Sequence, residues 1–138
     1  MSTTTSRRLF VNLAVKDLPR SMRFFEALGF GFDPHFTNDD AACMVVGDGI
    51  YAMLLTEPFF RSFTRRQTCE TATHTETMLA LSCDSREEVD AFEARALGAG
   101  GSECMPPQDH GFMYARSFYD PDGHHWEIFW MDPSAAPA

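Results

Sequence analysis

VNLAVKDLPRSMRFFEALGF, residues 11–30, runs from an apolar strand-like segment directly into a helix start and ends on a helix stop. Leu9–Val15 is apolar and β-rich, which predicts a strand. Asp17 stands where a helix N-cap would accept a backbone N–H, and Pro19 suits the first turn, where its missing N–H costs nothing. Met22, Phe24, Phe25 and Leu28 fall on or near one helical face, and Gly29 supplies the backbone freedom that ends a helix.

Working outward, residues 30–34 read as a turn into a second strand. Residues 42–46 and 50–55 flank Gly47-Asp48-Gly49, a strong hairpin signal because Asp-Gly accepts the unusual angles of a tight turn. The order β-α-β-β-β then starts again. Residues 77–83 (TMLALSC) read as a strand, and Ser85-Arg86-Glu87-Glu88 has the pattern of a capping box. Val89, Phe92, Ala96 and Leu97 recur at helical spacing before Gly98. A short strand is predicted at residues 102–105, a loop at 106–111, and two last strands at 114–119 and 126–131, joined by the turn Asp120-Pro121-Asp122-Gly123. Leu28-Gly29 and Leu97-Gly98 occupy matching places in the two runs, as in a duplicated module. The expectation is one α+β domain: module one over about residues 7–57, a linker or lid over 58–76, and module two over 77–132. Two such modules could form a curved mixed-sheet half-barrel with a cleft.

The chain has 138 residues, enough for one core of ordinary size, and a net charge of −9 that would repel a phosphate backbone. Nucleic acid is therefore not an expected partner. No run of eighteen apolar residues occurs, so neither is a membrane, and a soluble cytoplasmic protein is expected. The four cysteines are widely spaced without a C-x-x-C pair and read as reduced thiols, with Cys43 and Cys83 buried in strands. Thirteen Phe residues exceed what so small a core needs, and some could line a ligand cleft.

With its opening strand and helix, and with the ending FYDPDGHHWEIFW at residues 118–130, the chain resembles the vicinal-oxygen-chelate superfamily of glyoxalases, bleomycin-resistance proteins and extradiol dioxygenases. That resemblance covers nearly the whole chain. It implies two βαβββ modules, a homodimer, and a divalent metal held by residues from the first and last strands of each module. Glu127 matches the closing ligand. The first-strand ligand position, however, falls on Phe10 and its second-module equivalent near Met78, while the end of module one offers Leu55 or Glu57. Phe and Met are poor ligands for a hard ion, so no cofactor is expected, although His35, His74 or His110 could still supply ligands from loops.

Side chains alternate along strands. If Glu127 faces the cleft, Phe129 and Met131 share its face, Trp126, Ile128 and Trp130 back onto a helix, and Phe10, Asn12 and Ala14 line the first strand. Glu127 is the catalytic candidate, because burial in such a cleft would favour its protonated form and make it a general acid or base. Phe10, Asn12, Met78, His110, Tyr114 and Phe129 are the ligand-binding candidates. His124 and His125 are neighbours and should point to opposite faces, with turn polarity or solvation the plainer role for at least one. Two readings follow from the resemblance: a protein that binds a small organic ligand without the full metal site, or a metal-dependent lyase, isomerase or dioxygenase. A purely structural module is the third.

Overall fold

A computed structural model describes residues 5–135, which form two compact units divided between Thr68 and Cys69. Each unit is a helix against a mixed sheet, so the fold is α+β. The division falls inside the predicted linker.

The first unit runs β1 (Leu9–Val15), α1 (Leu18–Ala27), β2 (Gly31–Asp33), a 3₁₀ turn at Pro34–Phe36, β3 (Ala41–Gly47), β4 (Ile50–Thr56) and α2 (Glu57–Arg61). Its sheet order is β1-β4-β3-β2, with β1 parallel to β4 and the other pairs antiparallel. Asp17 caps α1 as predicted, accepting from the Arg20 N–H at 3.0 Å. Leu18, Phe24, Phe25 and Leu28 are buried. By register Val11, Leu13, Ala52, Leu54, Ala42 and Met44 share one sheet face, and all but Val11 are at most 2% exposed. Helix α2 opens the stretch expected to be a linker or lid. Pro58 in its first turn and Glu57 at its positive N-terminal end favour a helix there, a local signal that the absence of long periodicity concealed.

The second unit repeats the plan: β5 (Met78–Ser82), α3 (Arg86–Gly98), β6 (Ser102–Glu103), β7 (Gln108–Asp109), β8 (Met113–Tyr119) and β9 (His125–Met131). The sheet order is β5-β9-β8-β6, with β5 parallel to β9 and β7 also paired to β8. Ser85 caps α3 through the Glu88 N–H at 3.1 Å, but the Glu88 carboxylate reaches back to the Asp84 N–H at 3.0 Å, one residue before the reciprocal partner of a standard box. Where one strand and a loop were expected, β6 and β7 are two halves of a broken strand pairing with opposite ends of β8. Pro106-Pro107 lacks the N–H groups a continuous ladder needs. Phe118, Trp126 and Ile128 fill the core beside α3, and the Phe92 ring stacks 6.1 Å from Phe118. The apolar stripe of α3 contains one charge that its pattern did not reveal: Glu93, 3% exposed.

The turn at residues 120–123 is locked from two sides. Gly123 has φ of 90°, and its N–H donates to the Asp120 carbonyl at 2.9 Å. Asp120 accepts from the N–H groups of Asp122 and His124 and from the side chains of His124 and Trp126, at 2.8 to 3.1 Å. Across the turn lies the start of the same unit: the Thr71 hydroxyl donates to the Asp122 carbonyl, and a Cβ on Gly123 would sit 2.2 Å from the Thr71 oxygen.

Candidate functional site

In the first unit, the sheet face opposite the buried row carries Phe10, Asn12 and Ala14 on β1 beside Tyr51, Met53 and Leu55 on β4. Phe10 is 44% exposed and stacks on Tyr51, ring centres 4.7 Å apart. Over this face the α2 segment borders a half-open hollow of about 350 Å³ lined by Asn12, Leu55, Phe60, Phe63 and Thr64, with Phe63 69% exposed. Phe63 packs edge-on against Phe59 at 4.9 Å, which braces the aromatic wall. The Asn12 amide donates to the Phe10 carbonyl at 3.3 Å; its carbonyl oxygen and the Thr64 hydroxyl are the polar features of an otherwise apolar wall. Phe60, Phe63 and Thr64 are not among the expected ligand residues because they lie in the segment expected to be a linker or lid, where no strand or helix pattern gives them a face.

In the second unit, alternation along β9 runs as predicted. His125, Glu127, Phe129 and Met131 share one face, and Met78, Ala80 and Ser82 on β5 and Ala115, Ser117 and Tyr119 on β8 join it by register. Met78 is 63% exposed opposite His125. The Glu127 side chain is 37% exposed, so the apolar burial expected around it is absent. Its cross-strand neighbours are Ala80 and Ser117, and His125 Nε2 lies 3.3 Å from Oε1. Gln108, Met113 and Ala115 join Glu127 around a hollow of only about 50 Å³.

Two predicted ligand residues do not join this face. Tyr114 points to the α3 side, where its hydroxyl donates to Asp90 at 2.6 Å and the Arg86 guanidinium lies over its ring at 5.2 Å. Its direction follows from the pleat, since Tyr114 lies opposite Trp130 on the face away from Glu127. His110 is exposed, with its N–H on the Met113 carbonyl at 2.8 Å and its ring 6.3 Å from Phe112, away from the cavity linings. Beside it, the Arg86 guanidinium and the Gly111 N–H hold the Asp109 carboxyl down to about 2.

His124 and His125 do diverge, but both are buried. Burial alone would lower the His124 pKa; the Asp120 hydrogen bond and the charges of Asp120, Asp122 and Glu76 outweigh it and raise it. On the helix side, burial pushes the Glu93 carboxyl up against the opposing pull of Arg116, whose guanidinium lies 3.8 Å away.

A divalent ion of the kind the resemblance implies does not fit the donors present. Phe10 and Met78 stand at two of the expected ligand positions, and Glu127, with Ala80 and Ser117 across from it, has His125 beside it but belongs to no described group of three close donors. Among the described residues, Asp120, Asp122 and His124 are the one group of three such donors within 4.8 Å of one another. Four N–H donors already occupy the Asp120 carboxylate, and opening them would dismantle the turn.

A family model described as the Glyoxalase/Bleomycin resistance protein/Dioxygenase superfamily matches residues 7–128. Among solved structures, a hypothetical protein from S. aureus is similar at 26% identity and a TM-score of 0.78, over 92% of this chain and 95% of that one. A glyoxalase-related enzyme from Fulvimarina pelagi shares 22% identity and a TM-score of 0.76, over 91% and 88%. The fosfomycin resistance protein FosX from Mesorhizobium loti shares 18% identity and a TM-score of 0.66, over 97% of each chain. No curated protein matches. Among the described residues no helix is long and apolar enough to cross a membrane.

Proposed function

Because the chain belongs to the glyoxalase/bleomycin resistance protein/dioxygenase superfamily, we propose that it binds a small, largely apolar organic ligand in the aromatic cavity of its first unit, without the family's full metal site. The observation that carries this reading is the cavity of about 350 Å³ between β1, β4 and the α2 segment. Its size and composition, aromatic walls with two orienting polar groups at Asn12 and Thr64, suit a small-molecule site. Phe60 and Phe63 supply contact area, and Asn12 fixes orientation. The bleomycin-resistance branch offers a functional analogue; this step is analogy of fold and family.

A library of planar aromatic compounds, read by thermal shift and confirmed by calorimetry, tests the reading. A ligand at a hundred times its dissociation constant stabilises by about 2.7 kcal/mol. Phe63→Ala should weaken binding by about tenfold, the loss of roughly 1.4 kcal/mol of aromatic contact. Saturable binding that Phe63→Ala and Asn12→Leu leave unchanged would refute the cavity as the site. The metal-dependent lyase or dioxygenase alternative is separated by elemental analysis after nickel, cobalt, iron and zinc loading, where stoichiometric metal would favour it. A homodimer would cover the exposed Leu9, Phe10 and Ile50, and sedimentation equilibrium tests that.

A further inference from the structure

We propose that the hollow between α3 and the broken edge strand of the second unit binds a small aliphatic cation with N–H donors, such as an alkylguanidinium, through Glu93 and Glu103. This inference uses the second unit alone and stands independently of the ligand cavity in the first.

The broken strand makes the space. β6 pairs with residues 118 and 119 of β8 and β7 with residues 114 and 115, so residues 104–107 have only positions 116 and 117 opposite them. Four residues cannot lie flat against two, and Pro106-Pro107 has no N–H to draw the chain in. The excursion bows outward, tied back where the Met105 N–H donates to the Ser117 hydroxyl at 3.0 Å. With Glu93 of α3, Glu103 of β6 and Arg116 of β8 it lines a hollow of about 330 Å³. Arg116 stands opposite Ile128 in the register, on the sheet face away from Glu127. The charged wall of the hollow therefore belongs to the helix side.

The charges on that wall do not balance. Arg116 reaches Asp90 at 3.4 Å and Glu93 at 3.8 Å, and Glu103 adds a third carboxylate that acts on Glu93. Asp90 also accepts the Tyr114 hydroxyl at 2.6 Å. Glu93 has nothing comparable. Its side chain is 4% exposed, its contact with Arg116 is too long for a hydrogen bond, and its Oε1 is buried without a hydrogen-bond partner among the described residues. Burial and the charges of Glu103 and Asp90 push its pKa up against the pull of Arg116. A buried carboxylate left in this state costs stability, a cost that marks residues held for binding. A cation with N–H donors supplies both the charge and the hydrogen bonds, and a guanidinium fork matches a carboxylate in two-point contact. Met105, Pro106 and Pro107 offer apolar contact to its alkyl tail. An anion would meet surplus negative charge. A bare divalent ion wants more oxygen ligands, and Glu93 and Glu103 belong to no described group of three close donors.

The test is titration of the isotope-labelled native chain with butylguanidinium, followed by amide chemical shifts in NMR. Saturable shifts centred on residues 93, 103–105 and 116 are expected, with a dissociation constant of about 1 mM, ordinary for so small a ligand. Butylurea has the same shape without the charge and should bind at least about tenfold more weakly, because it forms no charge-assisted hydrogen bond. Glu93→Gln should weaken butylguanidinium binding by about tenfold and Glu103→Gln by several-fold. Glu26→Gln, at an exposed position on α1, should leave it unchanged and so separates the site from diffuse attraction to an acidic protein. No saturation up to about 50 mM, shifts centred elsewhere, equal binding of butylurea, or affinity that Glu93→Gln leaves intact would each overturn the proposal. If Glu93→Gln fails to fold by circular dichroism, the butylurea comparison and Glu103→Gln decide the matter alone.

Discussion

Gly123→Ala tests the account of the turn most directly. Two costs follow from the geometry. A φ of 90° places an alanine in the left-handed region, worth about 1–2 kcal/mol. The new Cβ would also stand 2.2 Å from the Thr71 carbonyl oxygen and 2.8 Å from its carbon, backbone atoms that cannot rotate away. The segment carrying Thr71 must move, and with it goes the hydrogen bond to the Asp122 carbonyl, about 1 kcal/mol. The expected loss is about 3 kcal/mol, a large part of the stability of an ordinary domain. Gly49→Ala is the reference, since Gly49 also has positive φ, 72°, but its nearest neighbour is the flexible Arg8 Cγ at 3.5 Å. Urea unfolding of both variants should place Gly123→Ala about 2 kcal/mol below Gly49→Ala. Thr71→Val should cost about 1 kcal/mol in the wild type and close to nothing in Gly123→Ala, where the bond is already lost. A difference between the two alanine variants under about 0.5 kcal/mol, the scatter of ordinary surface changes, would refute the close approach of Thr71.

Three further outcomes are expected. His124 has a folded pKa above its ordinary 6.5, so its contribution to stability is complete below that value and is lost as pH rises through the folded one; urea midpoints from pH 5.5 to 8.5 should fall, and His124→Gln should flatten the slope. Glu93 is raised above its ordinary 4.5, so its stabilising contribution is likewise lost as pH rises through the folded value. Glu93→Gln should abolish that component and leave the protein at least as stable at pH 7, because Arg116 keeps Asp90 at 3.4 Å. A marked destabilisation at pH 7 would instead make the pair with Arg116 net favourable. Tyr114→Phe should cost less than about 1 kcal/mol through the lost Asp90 bond and leave ligand affinity unchanged, as expected of a residue on the α3 side.

The fold was legible because its signals are local and redundant. The Asp17 cap, the Asp48-Gly49 hairpin, the Ser85 cap and the residue 120–123 turn each fix a boundary through backbone chemistry that neighbours in sequence determine. Strand alternation then placed Glu127, Phe129, Phe10 and Asn12 on their faces without tertiary information. What was not legible depends on partners distant in sequence. Glu93 is buried against Arg116 of β8, and the turn at residues 120–123 closes on Thr71, whose hydroxyl reaches the Asp122 carbonyl fifty-one residues on. Neither pairing leaves a spacing rule in the sequence. The α2 segment is a third case: five helical residues are too few to show a period, so a stretch expected as linker or lid gave no sign of which aromatic side chains line the hollow.

The interrupted strand has a consequence for how this protein behaves at high concentration. A long, flat outer strand offers a row of free N–H and C=O groups onto which a foreign strand can zip, the first step toward fibrils. Here the far edge of the second unit is two residues, a diproline excursion, and two residues more, and the far edge of the first is the three-residue β2 closed by Pro34. At neither of these edges is the uninterrupted template long enough for the six or seven residues of a stacked cross-β segment. Converting Pro106 and Pro107 to β-branched residues would restore the ladder, and with it a seed for aggregation.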